Sequence, residues 1–61
     1  MFRLDIYINK KGEPKRVKNV AMDIPTWEEA DRLCLQKNKD LGVPENMQVS
    51  PGQRYAMFDN Q

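Results

Sequence analysis

The sequence predicts an α+β fold, a small antiparallel sheet of three or four strands with one helix packed on one face, in the order ββαβ or ββαββ. Three observations predict it. Residues 2–9 alternate apolar and polar, residues 9–14 carry turn chemistry, and residues 26–42 read as a capped amphipathic helix.

In the first segment Phe2, Leu4, Ile6 and Ile8 fall on one side, and Arg3, Asp5, Tyr7 and Asn9 on the other. A period of two with one apolar face is a half-buried strand. The run Asn9-Lys10-Lys11-Gly12-Glu13-Pro14 follows. Asn and Gly accept positive φ and Pro cannot continue a central strand, so this is a turn. A second strand is expected from about Lys15 to Ile24, with Val20, Met22 and Ile24 facing inward. Val17 is out of phase by one residue, which a bulge near Lys18-Asn19 corrects, as does an inward face that starts only at Val20. Two strands joined by a short polar loop make an antiparallel hairpin.

Thr26 is a good N-cap, and Glu29 three residues later completes the capping-box spacing. Glu28, Glu29 and Asp31 complement the positive end of the helix dipole, and Lys37 and Lys39 the negative end. Trp27, Ala30, Cys34 and Leu41 share one face, flanked by Leu33. The helix should stop before Gly42, with Pro44 just beyond. Further on, Met47 and Val49 alternate with Gln48 and Ser50, and Pro51-Gly52 reads as a turn. From Arg54 to Phe58 the pattern is again strand-like, with Tyr55 and Met57 on one face and Ala56 and Phe58 on the other. Residues 47–58 are thus either one kinked strand or a second hairpin.

A chain of 61 residues has room for one domain, residues 1–61. At this size folding buries only about 60% of the unfolded surface, so self-association or partner binding is a reasonable expectation. With 39% hydrophobic residues arranged periodically, the chain has a core to form and is not of disordered type. No apolar run approaches the roughly 20 residues that span a bilayer. The start Met1-Phe2-Arg3-Leu4-Asp5 lacks the pattern of a signal peptide, and the one cysteine, Cys34, excludes an internal disulfide. A cytoplasmic location is the expectation.

The residues give catalysis little to work with. There is no histidine, and so no side chain suited to proton transfer near neutrality without a perturbed pKa. Cys34 sits in phase with Trp27 and Ala30 and reads as a small core residue. The carboxylates Asp23, Glu28, Glu29 and Asp31 read first as helix capping and a solvated face. Phosphate loops, metal-type Cys/His spacings and nucleophile elbows are missing from the sequence. The expectation is a protein that is not an enzyme and carries no cofactor or metal.

Charge is distributed more unevenly than its total of +1 suggests. Five bases, Lys10, Lys11, Lys15, Arg16 and Lys18, are opposed between positions 10 and 18 only by Glu13, while residues 23–31 carry four acids and no base. A basic hairpin and an acidic helix start are both suited to steering a charged partner. Lysine on a hairpin also keeps an edge strand from pairing. Tyr7, on the polar face beside Arg3 and Asn9, is either a partner anchor or a cross-strand neighbour.

The run Ile24-Pro25-Thr26-Trp27-Glu28-Glu29-Ala30, following a hairpin, resembles small phage-encoded inhibitors, β-sheet-plus-helix proteins that bind a host protein and block it through surface contacts. The likeness covers most of the chain in element order. The basic sheet before Thr26, Glu29 and Ala30 also resembles the arm-type DNA-binding domain of phage and transposon integrases, which places three strands before its helix where this chain has two. The first likeness implies a noncatalytic protein-binding module that modulates or inhibits a host protein, as in a phage or mobile element. It would use Lys10, Lys11, Lys15, Arg16, Lys18 and Tyr7 on one patch and Glu28, Glu29 and Asp31 on the other. The second implies a small DNA- or RNA-binding protein that uses the basic hairpin 10–18. A homodimer through an exposed strand edge is a third arrangement open to so small a domain.

Overall fold

The structure is a computed structural model that describes residues 1–61. The alternating segment forms β1 (Phe2–Lys10), followed by β2 (Glu13–Ile24), α1 (Trp27–Asp40) and β3 (Arg54–Asn60). The three strands make one antiparallel sheet in the order β2-β1-β3, so the fold is ββαβ. The helix packs on one face of this sheet. The opposite face has no layer over it.

The strand with the cleanest apolar alternation lies in the middle, where both neighbours stabilise it. A two-residue loop joins β1 to β2. Lys11 and Gly12 both take positive φ, 52° and 86°, as a type I′ turn requires. The Asn9 side chain accepts a hydrogen bond from the Gly12 N–H at 2.9 Å and holds the turn closed.

The β2 strand departs from the expected pattern. It uses twelve residues opposite nine of β1, and the surplus is absorbed at three register shifts. Leu4 pairs with Ala21, Asp5 with Asn19, Ile6 with Lys18 and Tyr7 with Arg16. Val20 and Val17 are therefore extra residues in the ladder, each resetting the alternation. Of the predicted inward set only Ile24 is buried, while Val20 and Met22 are exposed. Asp23, at φ 57°, turns the last part of the strand so that Ile24 drops into the core opposite Phe2.

The helix has the predicted bounds and one half of the predicted capping box. Thr26 Oγ1 accepts the Glu29 N–H at 3.2 Å, but the Glu29 carboxylate turns to Arg32 at 3.5 Å instead of back to the cap. At the other end Leu41 is the C-cap, and Gly42 follows at φ 78°. The Gly42 N–H reaches Lys39 O and the Val43 N–H reaches Asn38 O. This is the Schellman closure, and it carries Val43 into a buried position. A Cβ on Gly42 would meet nothing within 4 Å, so Gly42→Ala tests the backbone alone. It is expected to cost about 1 kcal/mol, read from the shift of the urea midpoint.

Leu4, Ile24, Ala30, Cys34 and Ala56 form the buried cluster, with Phe2, Ala21 and Phe58 packed around it. Residues 47–50 do not form a strand, and Met47 takes a positive φ of 59°. Residues 50–53 form the expected turn, closed by Gln53 N–H to Ser50 O at 3.0 Å. Asn9 then exchanges backbone bonds with Gly52 and Gln53, which sets the register of β3 against β1.

Candidate functional site

Helix α1 leans over β3, and its side chains close the outer edge of that strand. Asn38 is 5% exposed. Its amide donates to Ala56 O at 3.0 Å and its carbonyl accepts the Ala56 N–H at 2.5 Å. Both outward backbone groups of Ala56 are thereby satisfied by one side chain. The Cys34 thiol lies against the same carbonyl at 3.2 Å. Burial raises the thiol above its ordinary value and the nearby Asp31 charge adds to the effect, against backbone and side-chain hydrogen bonds from Phe58 and Asn38. A buried, protonated thiol is a poor nucleophile. Cys34 is thus a core residue, as its helical phase implied.

The uncovered face of the sheet is a polar network around Asp5. The alternation places Asp5 among polar neighbours, yet it is only 1% exposed. Arg3 Nε donates to one carboxylate oxygen at 2.9 Å and Arg3 Nη2 to the other at 3.1 Å. Asn19 Nδ2 donates at 2.9 Å, and Arg16 Nε stands 3.7 Å away. Burial alone would raise the Asp5 carboxyl. The hydrogen bonds from Arg3 and Asn19, with the charges of Arg3 and Arg16, outweigh it and hold the group below its ordinary value.

Tyr7 is built into the same face. Its ring stacks on Tyr55 directly across the ladder, with centroids 6.0 Å apart. The Arg16 guanidinium sits 5.9 Å above the Tyr7 ring. Tyr7 is thus a cross-strand neighbour, half-buried, with its position fixed on both sides.

The structure distributes the predicted basic residues around the hairpin. Lys15 and Lys18 stand across from Ile8 and Ile6, on the helix side of the sheet. Arg16 stands across from Tyr7 on the open side, and Lys10 and Lys11 form the tip. Every residue from Lys10 to Val20 is exposed, and none of the four lysines makes an ion pair. Arg16 differs from them because it is committed to Asp5 and Tyr7. The acidic residues lie at the other end of the molecule, whose longest dimension is 32 Å. Glu28 is exposed, Glu29 is partnered by Arg32, and Asp31 is half-buried. No three His, Cys, Asp or Glu side chains converge as metal ligands would.

Two residues with structural roles, Asn38 and Asp5, escaped the sequence reading. Asn38 carried a signal, since it follows Cys34 by four residues on the apolar face, where a polar residue implies a buried partner. Asp5 carried a weaker one in Arg3, two residues away on the same face of the strand. Trp27 shares the helical phase of Ala30 and Cys34, but at the first helical position only part of its ring is expected to be buried; it is 55% exposed and packs edge-on against Phe58 at 5.9 Å.

No helix is long and apolar enough to cross a membrane. Compared with protein-family models, with curated proteins and with solved structures, the chain matches none.

Proposed function

We propose that this protein is a noncatalytic binding module whose basic hairpin docks on an acidic surface of a partner protein, which it modulates or inhibits by occupying that surface. The observation that carries this reading is the hairpin itself. Residues 10–20 are all exposed and carry four lysines without ion-pair partners. A type I′ turn and the Asp5 network hold the strands beneath them. Unpaired charge on a stiff support steers encounter and loses little conformational freedom on binding. A phage or mobile-element protein acting on a host protein fits this mode.

Lys15 and Lys18 are the residues to reverse, because Arg16 also supports the sheet. Lys15→Glu with Lys18→Glu is expected to weaken partner capture by about tenfold or more and to leave the far-UV circular dichroism unchanged. The assay is recovery of a discrete protein by the tagged chain from a lysate of the source cells, treated with nuclease. Undiminished recovery by the double variant would remove the hairpin from the account.

A second reading has its own observation. The Arg16 guanidinium lies over the Tyr7 ring beside the lysines, with its side chain 54% exposed, and its outer plane is a surface on which a nucleic-acid base could stack. This reading predicts capture that disappears with nuclease and an affinity falling steeply with salt.

A further inference from the structure

Helix α1 carries a half-exposed aromatic at its start and a groove beside its end. Trp27 is 55% exposed and Leu35 61% exposed. Between them run two helical turns, about 12 Å. Beside Leu35 the flank of α1 opens into a groove of about 270 Å³ lined by Leu35, Lys39, Val43, Pro44, Glu45 and Met47. Met47 is 45% exposed there, and the Asn38 amide lies 3.9 Å from its sulfur. The indole at the opposite end packs edge-on against Phe58, and Phe58 edge-on against Phe2. Its orientation is therefore set before any partner arrives.

We propose that this flank is an interface with a second copy of the chain, formed by two α1 helices packed antiparallel about a two-fold axis. A two-fold interface must be self-complementary, with each patch meeting the same patch reversed. This flank meets that requirement in charge. An axis near the level of Leu33 sets Trp27 of each copy at the groove of the other. Glu28, Leu35 and Lys39, spaced at i, i+7 and i+11, follow one line along the helix. Reversal of that line places Glu28 of each copy beside Lys39 of the other and brings the two Leu35 side chains together. The helix dipoles then also run antiparallel.

The small core points the same way. Only 10 of 61 residues are buried, and domains of this size commonly gain stability by oligomerising. The largest side chain in the protein is left half outside, and burial in a partner's groove is how tryptophan anchors interfaces. The hairpin and its lysines lie away from this surface, so the dimer and the partner-binding reading stand or fall separately.

Sedimentation equilibrium tests the proposal, together with the emission of Trp27, the only tryptophan. At about 100 µM the wild type is expected to sediment as a dimer, and its emission should shift to the red on dilution. Leu35→Glu, at a site 61% exposed, is expected to leave the circular dichroism intact and weaken dimerisation by about a hundredfold, because it buries two like charges face to face. Glu28→Lys is expected to weaken the dimer several-fold, and adding Lys39→Glu to restore it. A wild-type monomer at about 100 µM with concentration-independent emission would overturn the proposal. So would a dimer indifferent to Leu35→Glu, or charge variants that fail to compensate.

Discussion

Replacing Asn38 with alanine is expected to destabilise the protein by about 3 kcal/mol, more than truncation of most of its apolar residues. The side chain is small, but it satisfies the N–H and C=O of Ala56 together, at a position where Ala56 itself is 0% exposed. Truncation leaves the Ala56 N–H without a partner and the C=O with only the weak Cys34 thiol donor, and a buried backbone group left without a partner costs about 1–3 kcal/mol. Truncation admits some water, so the sum falls short of the maximum. In a domain of this length a loss of that size lowers the melting temperature by roughly 12–20 °C. Asn38→Asp separates the two hydrogen bonds. An aspartate can still accept the Ala56 N–H, but at neutral pH it sets a carboxylate against the Ala56 carbonyl, so it is expected to be worse than alanine. Burial beside a carbonyl raises the folded-state pKa of such a carboxyl above its unfolded value. The deficit relative to wild type should therefore shrink as pH falls through the raised value, where the protonated acid can donate. Urea titrations of both variants at neutral and acidic pH check this. A deficit in Asn38→Asp that does not change with pH would mean that the donor bond contributes little.

That side chain also explains why there is no fourth strand. Met47 to Ser50 alternate as a strand would, but a strand needs a free edge to pair with. The outer edge of β3 is closed by α1 at Ala56, and the outer edge of β2 lies across the sheet from the helix terminus. The chain leaving α1 at Gly42 instead returns to the start of β3 as a loop, and Gln53 joins the ladder only through Asn9. A local pattern of apolar alternation says which faces a segment offers. It does not say whether a neighbouring edge is free.

The elements that could be read from sequence were those fixed by local chemistry. The alternation of Phe2 to Asn9, the Lys11-Gly12 turn, the Thr26 cap and the Gly42 stop each depend on residues within a few positions of one another. The three bulges of β2 depend instead on the register of β1. The phase break between Val17 and Val20 marks a bulge in this stretch, but periodicity does not say that both valines are surplus. The charged segments were identified correctly as segments, but their arrangement was not visible. Whether Arg16 is free to bind a partner depends on Asp5 and Tyr7, which sit across the ladder and contact it only in the folded state.

Asp5→Ala is the second large effect expected, at about 2–4 kcal/mol. The carboxylate binds Arg3, Asn19 and Arg16 together, and its removal leaves two guanidinium groups facing each other on the same sheet. Arg16 can swing into water, since its side chain is 54% exposed, whereas Arg3, at 26%, is less able to. Asp5→Asn keeps the shape and removes only the charge, so it should lose less, about 1–2 kcal/mol. The folded-state pKa of Asp5 lies below the ordinary 3.8. Its contribution is therefore present in full above that value and is lost as pH falls from there through the lower folded value. The stability gap between wild type and Asp5→Asn, measured by urea unfolding from pH 7 downward, should stay constant to about pH 5 and close below pH 4. A gap that persists in acid would assign the effect to packing rather than to charge. Salt offers a separate test. A pair with one member 1% exposed is screened far less than the solvated lysines of the hairpin. High salt should therefore leave the Asp5 gap nearly unchanged while weakening partner binding through Lys15 and Lys18. Equal sensitivity of the two would mean that the network is solvated, and that the hairpin lacks the rigid base from which its charges are presented.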